Sequence, residues 1–193
     1  MTRGRPREFD KNKALDKAVK LFWQRGYRLV TLDDISEALG VVKPSLYSAF
    51  GDKESLFLQS VDRYREAVIG PVYSELLKCE KLTPGLRSFF RAIGSRVTQK
   101  DSPGCLIACI MPQASAESPA IKKRLAEVIA KSDEAFAKVL ALHPTSLRQN
   151  VEPKEAGTFM TSAIHGMAIR AKSGATLHDL EPIGEIVIKA ICK

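Results

Sequence analysis

Thr31-Leu32-Asp33-Asp34-Ile35-Ser36-Glu37-Ala38-Leu39-Gly40-Val41-Val42-Lys43-Pro44-Ser45-Leu46-Tyr47-Ser48-Ala49-Phe50 packs two short helices and a tight turn into twenty residues. Thr31 supplies a hydroxyl cap three residues ahead of the Asp34 carboxylate, a capping-box start. Ile35, Leu39, Val41, Leu46 and Phe50 are apolar at helical spacing. Small Ser36 lets a second helix cross closely, Gly40 takes the turn, and Leu46 plugs the angle between the two helices. This is helix-turn-helix spacing. The second helix, about 43–49, is then expected in the major groove with Lys43, Ser45, Tyr47 and Ser48 outward.

Helix punctuation continues on both sides. Asp10 can cap a helix whose Ala14, Leu15, Ala18, Val19 and Phe22 form an apolar stripe, with Gly26 as its stop. Thr83-Pro84, Ser102-Pro103, Ser118-Pro119 and Glu152-Pro153 mark later starts, because proline fits the first helical turn. The segment 121–142 is amphipathic, 154–173 is rich in Ala and Gly, and 183–191 adds a further apolar stripe. Period-2 alternation and internal repeats are both missing from the sequence. The expectation is an all-α chain of about nine helices: an N-terminal arm and helix-turn-helix domain over 1–52, then a helical bundle over 53–193.

The 193 residues carry 30 Lys+Arg against 22 Asp+Glu, a net charge of +8. Residues 1–65 hold 13 basic and 9 acidic side chains, so a third of the chain carries half of the net charge, with Arg3, Arg5 and Arg7 supplying most of that excess. Such placement points to a polyanionic partner. At 45% hydrophobic the chain is expected to fold, and its uncharged apolar runs are too short for a bilayer. The basic leader lacks an apolar core, so a soluble cytosolic protein without a signal peptide is expected. Four cysteines without CxxC spacing read as free thiols. No Gly-rich phosphate loop, nucleophile elbow or metal-binding helix is present, which argues against an enzyme, a cofactor or a metal.

At Phe22-Trp23-Gln24-Arg25-Gly26-Tyr27, Thr31 to Ser36, and Gly40 to Leu56, the chain resembles the TetR/AcrR family of bacterial transcriptional repressors. The match spans about residues 8–64. The resemblance implies an all-α homodimer that binds a palindromic operator on double-stranded DNA and lets go when a small-molecule inducer enters the C-terminal domain. It places Thr31 as a cap that also holds a phosphate, Lys43, Ser45 and Tyr47 on bases and backbone, and Lys53 on a phosphate. Val42 and Ala49 depart from the family, which often has a hydroxyl and an aromatic there. Arg3-Gly4-Arg5-Pro6 resembles an AT-hook core, placing Arg3 and Arg5 in a minor groove.

The sensing half is less legible. Phe57, Val61, Tyr64, Phe89, Phe90, Ile93, Met111, Phe136 and Met167 are candidate pocket residues, since ligand sites have apolar walls with few polar groups. Aromatics at helical spacing are equally the makings of a core. By resemblance, dimerisation falls to the last two helices, with Gly157, Met160, Ile164, Gly166, Ile183, Ile186 and Val187 as candidates. Cys105 and Cys109, four apart, are expected on one helical face as small buried hydrophobes, with a thiol or redox sensor as the alternative. A nonspecific architectural DNA binder is a third reading, carried by charge alone.

Overall fold

The computed structural model describes residues 10–101 and 104–193. Arg3 and Arg5, expected on a DNA-contacting arm, and the Ser102-Pro103 helix start lie outside the described residues. Among the described residues nine helices follow one another and no strand forms. An isolated antiparallel bridge between Leu147 and Cys192 ties down the C-terminus.

Helix α1 (Lys11–Arg25) begins where the Asp10 carboxylate accepts from the N–H groups of Asn12 (2.9 Å) and Lys13 (3.2 Å), satisfying donors that a helix start leaves free. It ends at Gly26, whose φ of +82° suits a residue without Cβ. Helices α2 (Leu32–Leu39) and α3 (Lys43–Phe50) follow. Helix α4, residues 53–77, runs as Lys53–Tyr64, a π-helical turn Arg65–Ile69, and Gly70–Leu77. Then come α5 (Leu82–Val97) and α6, residues 106–115, itself a π turn Leu106–Ile110 followed by Met111–Ser115. Helices α7 (Pro119–Ala141), α8 (Pro153–Lys172) and α9 (Leu177–Ile191) complete the chain. Both π turns lie just upstream of a proline, Pro71 or Pro112. Without an N–H, and with a ring that pushes against the preceding turn, proline leaves the helical ladder to widen there.

Helix α1 lies on α4, with Phe22 and Trp23 buried and a bidentate Arg63–Asp16 pair (2.7 and 3.1 Å) across the seam. Helices α7 and α8 form the most extensive pair. A Cβ on Gly157 would stand 2.4 Å from the Asp133 carbonyl oxygen, so only glycine permits that approach. Helix α9 closes on α5 through Arg87–Glu185 (2.6 and 3.0 Å), with Gly184 set against the Phe90 ring.

One expectation needs correcting here. Cys105 and Cys109 do not stack as an α-helical pair, because Cys105 is the extended residue ahead of α6 (φ −136°, ψ 135°) and Cys109 sits in its π turn. Their thiols meet different partners: Cys105 the Tyr64 hydroxyl at 3.3 Å, Cys109 the Ala168 carbonyl at 3.6 Å.

Candidate nucleic-acid interface

The interface is built from three helix starts brought together. At α2, Thr31 Oγ1 accepts from the Asp34 N–H (3.1 Å), and Asp34 Oδ2 accepts from the Thr31 N–H (2.8 Å). Arg25, at the end of α1, reaches Asp34 Oδ1 at 3.0 Å. The Thr31 hydrogen bonds, with the Arg25 charge behind them, hold the Asp34 carboxyl below its usual range. A lowered carboxyl contributes stability above its unfolded pKa and loses it as pH falls through the folded one, so this cap is intact at neutral pH.

At α3, Val42 offers no side-chain cap, and the first N–H groups of the helix keep no side-chain partner. Lys43 begins the helix with its ammonium 2.6 Å from Asp33 of α2, a pair exposed at both ends. Gly40 (φ +67°) makes the turn, and the Ser36 hydroxyl donates to the Val41 carbonyl. Leu46 is fully buried beneath. That burial fixes which face α3 shows to solvent: Val42 is 66% and Tyr47 52% exposed, and Ser48 is exposed as well, while Ser45 is half-buried. Neither Val42 nor Tyr47 contributes its exposed surface to the core.

At α4, Asp52 caps through the Ser55 N–H (2.7 Å). Lys53 donates to the Arg28 carbonyl at 3.3 Å and lies 4.6 Å from the Tyr27 ring centroid. It is therefore half-buried, and burial lowers its pKa below the usual lysine value. Tyr27 and Asp33 were not singled out from sequence; their roles arise from contacts across separate helices.

The sensing candidates fall into separate groups. Phe57 packs on Phe22 (5.0 Å) and Tyr27 (4.8 Å) under the DNA-binding helices, and Val61 is buried on the same helix. Tyr64 meets Trp23 edge-on at 5.0 Å. Ile93, Met111 and Met167 are buried. Phe89, Phe90 and Phe136 do converge, joined by Tyr73, which sequence reading passed over. Of the interface candidates, Gly157, Met160 and Val187 are buried within their own chain; Ile164, Gly166 and Ile183 are half-buried, and Ile186 is exposed. Exposed Phe159 and Ile169 extend that apolar surface. Among the described residues no group of three or more His, Cys, Asp or Glu gathers as a metal site, and no helix is long and apolar enough to cross a membrane.

Comparison with known proteins agrees with this geometry. The profile of bacterial regulatory proteins of the tetR family matches residues 14–59, which span α1 to the first half of α4. The Escherichia coli transcriptional repressor ComR is 33% identical over 97% of this chain and 91% of its own. The chain belongs to the TetR family. A second E. coli repressor, BdcR, is 24% identical over 92% of this chain and 86% of its own. A cysteine mutant of the TetR-family regulator CifR, solved in complex with 26-bp double-strand operator DNA, superposes with a TM-score of 0.87 at 28% identity, covering 97% of this chain and all of that one. Reduced E. coli NemR shares the fold, with a TM-score of 0.84 at 19% identity over 95% of this chain and 98% of its own. This TetR-family chain is thus a helix-turn-helix transcriptional regulator, with Tyr47 on the second helix of that motif and Val42 at its N-cap.

Proposed function

We propose that this regulator is a cytoplasmic repressor that binds a palindromic operator as a dimer and is released by a small molecule. The exposed Tyr47 on α3, with exposed Val42 at the start of that helix, carries the reading, since such groups suit a major groove. Val42 and Tyr47 offer the apolar contacts, Ser48 and Ser45 hydroxyl donors. Lys43 exchanges Asp33 for a phosphate, and the Thr31 hydroxyl takes a neighbouring one. Lys53, held by Arg28 and Tyr27, positions the start of α4 and adds positive charge. The chain divides functionally at Asp52, with α4 serving both halves. Arg3 and Arg5 are proposed to reach the minor groove.

Selection of bound sequences from a random DNA pool, followed by competition at fixed salt, tests the proposal. An inverted repeat with half-sites about 34–36 Å apart or a multiple of that is expected. A specificity ratio near one would instead make the protein an architectural binder. Asp33→Asn, which frees Lys43, is expected to tighten binding up to about fivefold, because exposed ion pairs are worth at most about 1 kcal/mol. Fluorescence anisotropy at constant ionic strength measures this, and an unchanged affinity removes Lys43 from the interface.

The dimer face is proposed on α8 and α9, where Phe159, Ile169 and Ile186 are exposed and a Cβ on Gly166 would meet nothing within 4 Å of its own chain. Ile186→Lys is expected to shift the protein to monomer in sedimentation and to abolish operator binding with it. A dimer that survives unweakened places the interface elsewhere.

A thiol-triggered variant has one supporting observation, the line Cys105–Tyr64–Trp23 that runs from α6 to α1. Burial raises the Cys105 thiol, so it is protonated at neutral pH and shielded from oxidants. Under this variant Cys105→Ser abolishes release by oxidant; under the ligand reading it leaves release by inducer intact.

A further inference from the structure

Two polar atoms in the sensing half are buried without partners although one feels the other's charge. The Tyr73 hydroxyl on α4 and Asp133 Oδ1 on α7 are both shut off from solvent and neither has a hydrogen bond. The other Asp133 oxygen accepts from the Thr158 hydroxyl at 3.1 Å, so the carboxylate is anchored at one end and open at the other. Burial, with the Asp133 charge behind it, raises the Tyr73 phenol well above its ordinary range, so it stays protonated. His165 on α8 is half-buried and its pKa is lowered by that burial, against the pull of Asp133; its imidazole is neutral at neutral pH.

The Tyr73 ring belongs to a cluster of three. Tyr73 lies 4.9 Å from Phe136 and 6.0 Å from Phe89, and those two are 5.4 Å apart. Phe89 also lines a groove of about 850 Å³ between α4 and α5, with Val72 and Leu76 as neighbouring wall, whereas Asp133 and Thr158 line a separate one of about 590 Å³ between α7 and α8. Unpaired buried polar atoms oppose folding, and native proteins keep few of them without a use. Asp133 Oδ1 only accepts, the protonated Tyr73 phenol and the neutral His165 imidazole can each accept as well as donate, and ring faces attract cations. A charged N–H donor satisfies them together, and its hydrogen bond to a carboxylate is of the stronger kind.

We propose that Asp133, Tyr73 and the Phe89–Phe136 pair form the recognition end of the inducer site, which takes a protonated amine carried on an apolar or aromatic body. The inference rests on the ligand-responsive reading above. Calorimetry on the full-length protein without DNA tests it with one skeleton and three head groups: 2-phenylethylamine, 2-phenylethanol and 3-phenylpropionate. The amine is expected to bind at least tenfold more tightly than the alcohol, and the acid not at all. Asp133→Asn is expected to erase the preference for the amine. Tyr73→Phe is expected to weaken the amine severalfold while leaving the thermal midpoint unchanged or higher, since the phenol has no partner in the free protein. Equal binding of amine and alcohol, binding of neither at millimolar concentration, or a preference that survives in Asp133→Asn overturns the proposal. Operator release is scored separately. An amine that binds selectively and leaves the operator occupied supports the site and overturns the inducer reading. Release by a molecule that ignores Asp133→Asn does the reverse.

Discussion

Tyr47→Ala is expected to leave the thermal midpoint unchanged and to weaken specific operator binding by at least about thirtyfold. Both halves of that result follow from where α3 is held. Leu46, one residue earlier, is fully buried and locks the helix against its neighbours, while Tyr47 projects into solvent with half its surface exposed. Removing an exposed ring forfeits little packing, so stability is spared. A good groove contact is worth about 1–3 kcal/mol, and a dimer on a palindrome makes it twice, so about 2–6 kcal/mol is lost per complex. Nonspecific binding, which depends on phosphate contacts, should change far less. Specific and nonspecific affinities measured at one salt concentration check this. A parallel loss in both, or a lowered midpoint, means that Tyr47 serves the fold and does not read sequence.

Gly157→Ala is expected to destabilise the protein, and the sign of that effect is opposite to helix propensity. Propensity alone favours alanine over glycine in a helix interior by about 1 kcal/mol. The new Cβ, however, would stand 2.4 Å from the Asp133 carbonyl oxygen and 3.0 Å from the Ala137 nitrogen, and both of these are backbone. Neither can rotate away, so α7 and α8 must move apart along their most extensive contact. Overpacking of this kind costs typically about 1–3 kcal/mol, more where backbone must shift, which outweighs the propensity gain. A midpoint lower by about 4–8 °C corresponds to a net loss near 2 kcal/mol in a chain of this size. The same shift would disturb Asp133 beside the unpaired Tyr73 hydroxyl, so amine binding should fall with it. A raised midpoint would show that α7 and α8 are not packed this closely.

Contrast between these positions shows what was legible in the sequence. Tyr47 was identified correctly as outward-facing because the apolar residues that fix the face of α3 lie within a few positions of it. Gly157 was assigned to a surface between two chains, yet it is buried inside one. Nothing near residue 157 distinguishes a glycine that admits a neighbouring helix of the same chain from one that admits a second copy. Gly166, nine residues on, meets nothing of its own chain. The π turns were likewise invisible as π turns, although Pro71 and Pro112, which accompany them, were in view.

The sequence by itself determined an all-α chain of about nine helices, the starts at Asp10, Thr31 and Ser118, and the helix-turn-helix, because each depends on hydrogen bonds and contacts spanning about four residues. It also determined that the first third of the chain should meet a polyanion, since charge is counted along the chain. Tertiary structure alone decided that Lys43 is held by Asp33, that Lys53 rests on Tyr27, and that Phe57 belongs to the DNA-binding core while Phe89 and Phe136 surround Tyr73. It alone set an unpaired tyrosine hydroxyl near an unpaired carboxylate oxygen sixty residues away. The physical reason is the range of the interactions. Caps and turns are satisfied locally, whereas the partner of a buried polar group depends on how distant helices cross.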